Sequence, residues 1–159
     1  MNFSPIRVYA DTSVFGGVFD EIFKTASRTF FQQVQEGRFQ LVISSLVQKE
    51  IELAPTPVRD WFDEFAKSAE FIDLTDAALQ LRNAYLEAGI VTPKSVADAL
   101  HVALVTVACC HWILSWNFKH LVHCQKIPLY RAVNTIKGYG EINIYSPPEV
   151  IHYDDRETL

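Results

Sequence analysis

Cysteine is scarce: only Cys109, Cys110 and Cys124 are present. An odd count without regular spacing makes no disulfide framework, and no CxxC pair offers a zinc site. We expect all three to be reduced, buried packing residues. Long apolar runs are also missing. None reaches the ~18–20 residues that span a bilayer, and the longest, Ala97–Trp112, is interrupted by Asp98, His101 and His111. The opening MNFSPIRVYAD lacks the basic-then-apolar layout of a signal peptide. A soluble cytoplasmic protein without membrane association is therefore expected. Basic charge is in deficit, with 14 Lys and Arg against 19 Asp and Glu, a net charge of −5. That excludes a generic polyanion-coating protein, which would be basic. It leaves open an enzyme whose acids gather at a metal and whose bases form a local patch. No GxGxxG follows the first apolar run, which argues against a dinucleotide-binding domain.

At 159 residues the chain has the length of one domain, expected over 1–159. Its 49% hydrophobic and 21% charged residues are ordinary for a globular core. Short apolar runs alternate with helical patterns. Strands are expected at Ile6–Ala10, Phe39–Ile43, Trp112–Ser115 and Glu141–Tyr145, with a short strand or connector at Glu70–Asp73. Helices are expected over Phe23–Glu36 before Gly37, Val58–Lys67, and Thr75–Ala88 before Gly89. Ser45–Gln48 reads as a capping box opening a helix that carries Glu50. Thr92-Pro93 opens another, apolar nearly all round and therefore buried, that carries Asp98 and His101 to about Cys109. Phe118 onward suggests a short helix. This alternation predicts an α/β fold, a parallel sheet sandwiched between helices.

In such sheets ligands bind beyond the carboxyl ends of the strands. Asp11 ends the first strand, Glu50 follows the second, and Asn117 follows Trp112–Ser115. Asp98 lies in the first turns of an apolar helix, where an unpaired carboxylate is costly. Lys94, at i−4, offers it a plain salt bridge as the alternative. If the acids converge, their repulsion calls for a divalent cation. An all-oxygen set favours Mg2+ or Mn2+, which suits phosphodiester hydrolysis.

DTSVFGG at Asp11–Gly17, SSLVQKEIE at Ser44–Glu52, ADALHVALV at Ala97–Val105 and SWNFKHL at Ser115–Leu121 resemble the successive motifs of PIN-domain ribonucleases. The likeness is to the VapC-type toxins of toxin–antitoxin pairs in particular, and covers nearly the whole chain. It implies a PIN-like α/β/α sandwich and a metal site formed by Asp11, Glu50 and Asp98. It further implies an endoribonuclease acting on RNA, held inactive by a protein antitoxin and commonly a homodimer. The family's fourth acidic position falls on Asn117, whose carbonyl can bind metal or accept from a metal-bound water but brings no charge. Ser13 matches the hydroxyl after the first Asp; it orients Asp11 or a bound water, or simply caps a turn.

Other residues carry paired readings. Glu52 cannot share a helical face with Glu50 and is expected in solvent. His101 shares a face with Asp98 and is either a phosphate contact or a hydrogen-bonded core histidine, the reading we favour. His120 and His123 read as surface residues, with RNA contact as the alternative. Lys24 with Arg28, and Lys119 with Lys126, are phosphate contacts or a solvated face. Trp116 stacks a base or covers the core. Gly16-Gly17 permits close approach or makes a turn. The competing reading of the whole is a catalytically weakened PIN-like module that binds RNA or protein without cutting. A phosphatase using Asp11 as nucleophile is disfavoured, because Ser13 stands where that chemistry wants a second Asp.

Overall fold

A computed structural model describes residues 4–154. The ends of the expected domain, 1–3 and 155–159, lie outside the described residues. Five strands form one sheet: β1 (Ile6–Ala10), β2 (Phe39–Ser44), β3 (Glu70–Ile72), β4 (Trp112–Leu114) and β5 (Asn143–Tyr145). Their order is β3-β2-β1-β4-β5 and every pairing is parallel. Val8 of β1 stands opposite Leu41 on one side and Trp112 on the other. Val8, Tyr9 and Ala10 are fully buried, as a central strand covered on both faces requires.

The helices are α1 (Thr12–Gly17), α2 (Lys24–Gln35), α3 (Ser45–Ile51), α4 (Thr56–Ala66), α5 (Asp76–Glu87), α6 (Val96–Val107), α7 (Ile127–Ile136) and α8 (Pro147–Val150). Parallel crossovers are right-handed. The path β1 to β2 to β3 runs towards one edge, so α1–α4 cover one face. The path then returns through β4 to β5, which places α5–α7 on the other. The helix contacts agree: α1 packs on α2, α3 and α4, and α5 on α6 and α7. The α1–α4 face is filled by aromatics, with Phe31 4.6 Å from Phe65 and 5.1 Å from Phe15 between ring centroids. Each fully buried Phe contributes roughly 1.5–3 kcal/mol. On the other face Tyr85 meets Tyr130 edge-on at 4.9 Å. The buried Tyr85 hydroxyl donates to Asn134, whose Nδ2 donates to Thr106 Oγ1 at 3.1 Å, so polar groups there are satisfied. Among the described residues no helix is long and apolar enough to cross a membrane.

Several expected boundaries move. The cap of α3 is Ser44, not Ser45: Ser44 Oγ accepts from Val47 N at 3.2 Å, so Gln48 falls outside a capping box. The helix expected from Thr92 opens with a 3-10 turn at Pro93–Ser95, and Thr92 makes no side-chain cap. The expected helix from Phe118 is a single turn, in which Leu121 N and Val122 N both donate to Asn117 O. The helix in this part of the chain is α7, further on, with Pro128 in its first turn. The short α1 was also unread, because DTSVFGG offers too few residues for periodicity. Gly37 and Gly89, by contrast, have φ of 83° and 76°, the left-handed conformation expected after a helix. Of the cysteines only Cys110 is buried; Cys109 and Cys124 are exposed, contrary to expectation, and all three are free thiols.

Candidate functional site

Strand order places the site. Chain paths diverge between β1 and β4, which opens a crevice at their carboxyl ends. Asp11 leaves β1 there, tied across the sheet by its N–H to Leu114 O at 3.1 Å. It is 4% exposed and caps α1. Its Oδ1 accepts from Ser13 N at 3.0 Å and Ser13 Oγ at 2.5 Å, and its Oδ2 from Ser115 Oγ at 2.5 Å. Ser13 Oγ in turn accepts from Trp116 N, and Ser115 Oγ from Asn117 N, both at 2.9 Å. Ser13 thus orients Asp11, while the cap of the turn is Asp11 itself, not the Ser13 hydroxyl. Ser115 was not singled out in the sequence, since a serine at a strand end carries no signal of its partner. Burial pushes the Asp11 carboxyl up. The hydroxyls of Ser115 and Ser13 oppose that rise, and the neighbouring Glu50 charge adds to it.

Glu50 reaches the same crevice from the last turn of α3. Its Oε1 lies 2.8 Å from Nε2 of His101, a residue of α6 that is 3% exposed. Desolvation alone would raise the Glu50 carboxyl. The hydrogen bond from His101 outweighs it and holds the group below its ordinary range. His101 Nδ1 is 2.7 Å from the Tyr9 hydroxyl, itself 2.8 Å from Ser44 Oγ. The hydrogen-bonded core histidine is thus observed, and it also touches the site. Glu52 is exposed, as expected.

Asp98 is half-buried in the first turn of α6. It forms no ion pair with Lys94, and its charge is felt instead at His120 and Tyr130. Asn117 is spent on the chain: its Oδ1 accepts from Lys119 N at 3.2 Å and His120 N at 2.9 Å. His120 is no free surface group, because its ring lies between Ser95 Oγ at 3.0 Å and Lys126 Nζ at 2.9 Å. His123 accepts from Gln125 N. The pair Lys24 and Arg28 is absorbed as well, Lys24 by Glu21 at 3.0 Å and Arg28 by Val18 O at 2.9 Å. Lys119 stays exposed beside Asn117. Trp116 covers the core: it stacks on Phe23 at 4.2 Å and donates from Nε1 to Ser27 at 2.9 Å. Gly17 makes that closure possible. A Cβ there would lie 2.7 Å from both Ser27 Oγ and Trp116 Nε1, whereas Gly16 faces open space.

Among the described residues no three His, Cys, Asp or Glu side chains are gathered closely enough to enclose a metal ion. The donors at Asp11 and Glu50 still fit hydrated Mg2+ or Mn2+, which takes one or two carboxylates and keeps waters. The Glu50 charge is felt at Asp11. Beside them the Thr12 hydroxyl is buried without a partner in hydrogen-bond geometry, and a metal-bound water is a group that would satisfy it.

No protein-family model matches the chain, and neither does any curated protein. Among solved structures, a chain of VapBC2 from Rickettsia felis, bound to a DNA fragment from their promoter, is similar to it. The TM-score is 0.57 over 89% of this chain and 98% of that one, at 12% identity. This likeness is one of fold: the five-stranded parallel sheet flanked by helices is PIN-like.

Proposed function

We propose that the chain is a divalent-metal-dependent endoribonuclease that hydrolyses RNA phosphodiester bonds, the cytoplasmic toxin of a toxin–antitoxin pair. One observation carries this reading. Asp11 is a buried carboxylate at the diverging point of a PIN-like sheet, gripped by two serine hydroxyls and coupled in charge to Glu50. No lysine or arginine pairs with Asp11 among the described residues; its oxygens are held by hydroxyl and backbone donors instead.

Asp11 and Glu50 would hold Mg2+ or Mn2+, which when bound neutralises phosphoryl oxygens and lowers the pKa of an attacking water. Ser13 and Ser115 each bind one Asp11 oxygen, so that carboxylate cannot rotate. His101 occupies Oε1 of Glu50, which leaves Oε2 as the oxygen that would meet the ion. Asp98, which makes no hydrogen bond or ion pair among the described residues, would be the third acid to help hold the ion. Exposed Lys119 would take a backbone phosphate. Antitoxin binding would cover the apolar surface at Ile22, 84% exposed, and at Phe19, which meets Trp61 edge-on. A homodimer belongs to the same reading.

Asn117 favours the second reading, an RNA- or protein-binding module without turnover. Its carbonyl oxygen, engaged by two backbone N–H groups, would have to break a turn to become a ligand. Cleavage of a mixed RNA panel by the purified, partner-free protein separates the two. With Mg2+ or Mn2+ we expect cutting that chelator stops and Asp98→Asn abolishes. Folded protein that cuts with neither metal would favour the binding module.

A further inference from the structure

The polar line that runs from α3 through the core and back to α3 has more order than core packing needs. Ser44 Oγ, Tyr9 Oη and both ring nitrogens of His101 form a continuous chain of hydrogen bonds ending on Glu50 Oε1, at 2.8, 2.7 and 2.8 Å. Its first three members are 0%, 0% and 3% exposed, so water does not complete their bonding. The direction of the chain follows from counting donors. Ser44 Oγ already accepts from Val47 N, so its own proton must go to Tyr9. Tyr9 then donates to His101 Nδ1, and Nε2–H donates to the carboxylate. Reversed, the line would leave the Ser44 proton with no acceptor in a buried space, a loss of about 1–3 kcal/mol.

We propose that Ser44, Tyr9 and His101 are positioning residues, a one-way relay that fixes the rotamer of Glu50 so that its second oxygen meets the metal. The inference rests on reading Glu50 as a metal ligand. The relay ties both ends of α3 to β1 and α6: Ser44 caps the helix, and Glu50 lies in its last turn. A side chain on a seven-residue helix with 37% of its surface exposed would otherwise sample several rotamers. Partners that orient a ligating side chain are commonly worth 10–100-fold in metal affinity.

The test uses the full chain and Mn2+ alone, titrated calorimetrically, beside nitrogen NMR of histidine-labelled protein. Wild type should show the His101 ring with its proton on Nε2. Tyr9→Phe removes the donor to Nδ1 while keeping the ring in place. It should leave Nδ1 without its donor, free the imidazole to move and weaken Mn2+ binding by roughly tenfold, with the proton still on Nε2 because the carboxylate can only accept. His101→Leu should weaken it more, and His101→Gln, which keeps a donor towards Glu50, should restore most of the loss although it packs no better. Thermal melts confirm that each variant is folded. A proton on Nδ1, or equal affinity in all four proteins, would overturn the inference alone. Wild type that binds no Mn2+ would instead overturn the functional reading, and this inference with it.

Discussion

At the scale of single residues, Asp11 and Glu50 oppose each other in their effect on stability. A carboxyl raised by burial binds more protons folded than unfolded. Stability from Asp11 therefore falls as pH rises from the ordinary carboxylate range through its raised folded value. Asp11→Asn removes that loss. Its amide also sets a donor where Ser115 needs an acceptor, so we expect it to flatten the dependence of stability on pH in this range while removing metal binding. Denaturant melts across pH check this. Glu50 has the opposite sign: its lowered carboxyl contributes stability at neutral pH that is lost as pH falls through its folded value. Glu50→Gln should thus be slightly destabilising and should flatten the acid limb. Equal shifts in the two variants would contradict the assigned environments.

At the scale of elements, two contacts position the crevice. The cap of α3 belongs to Ser44, whose oxygen also meets Tyr9. Ser44→Ala should cost about 1–2 kcal/mol. Ser45→Ala, which loses only a bond to Leu74 N at 3.3 Å near the surface, should stay within about 0.5 kcal/mol. Chemical denaturation of the two variants decides which serine is the cap. The second contact is the closure of the Ser115–Asn117 segment onto α2 through Trp116. Gly17→Ala drives a methyl into Trp116 and Ser27, so we expect a loss of about 1–3 kcal/mol and a shift in tryptophan fluorescence. Gly16→Ala, in open space, should leave the fluorescence unchanged.

At the scale of the whole molecule, the fold is held by aromatic and aliphatic packing on both faces of the sheet, without disulfides. Stripping any bound metal with chelator should therefore leave the protein folded. Mn2+ should raise the melting temperature by mass action, by about 2.7 kcal/mol of stability at a hundredfold excess over Kd, and should fail to do so in Asp11→Asn. A fold that collapses in chelator would show the metal to be structural.

The sequence by itself determined the strand-and-helix alternation, the parallel sheet, and the placing of Asp11, Glu50 and Asn117 beyond strand ends. Those features are local. Apolar runs of β-branched residues, glycines after helices and acids at run ends are legible because each is set by neighbours a few residues away. Only the tertiary structure decided the partners. Ser115 grips Asp11 from 104 residues away, His101 grips Glu50 across 51, and Tyr9 joins His101 to Ser44. The Oδ1 of Asn117 caps a turn, accepting from the N–H groups of Lys119 and His120. Asp98 shares a helical face with His101, yet its charge is felt at His120 and Tyr130 rather than at Asp11. Side-chain type and spacing say which atoms can bond. Which of them do is set when strand order brings distant segments to one sheet edge, where burial makes every unpaired polar atom costly.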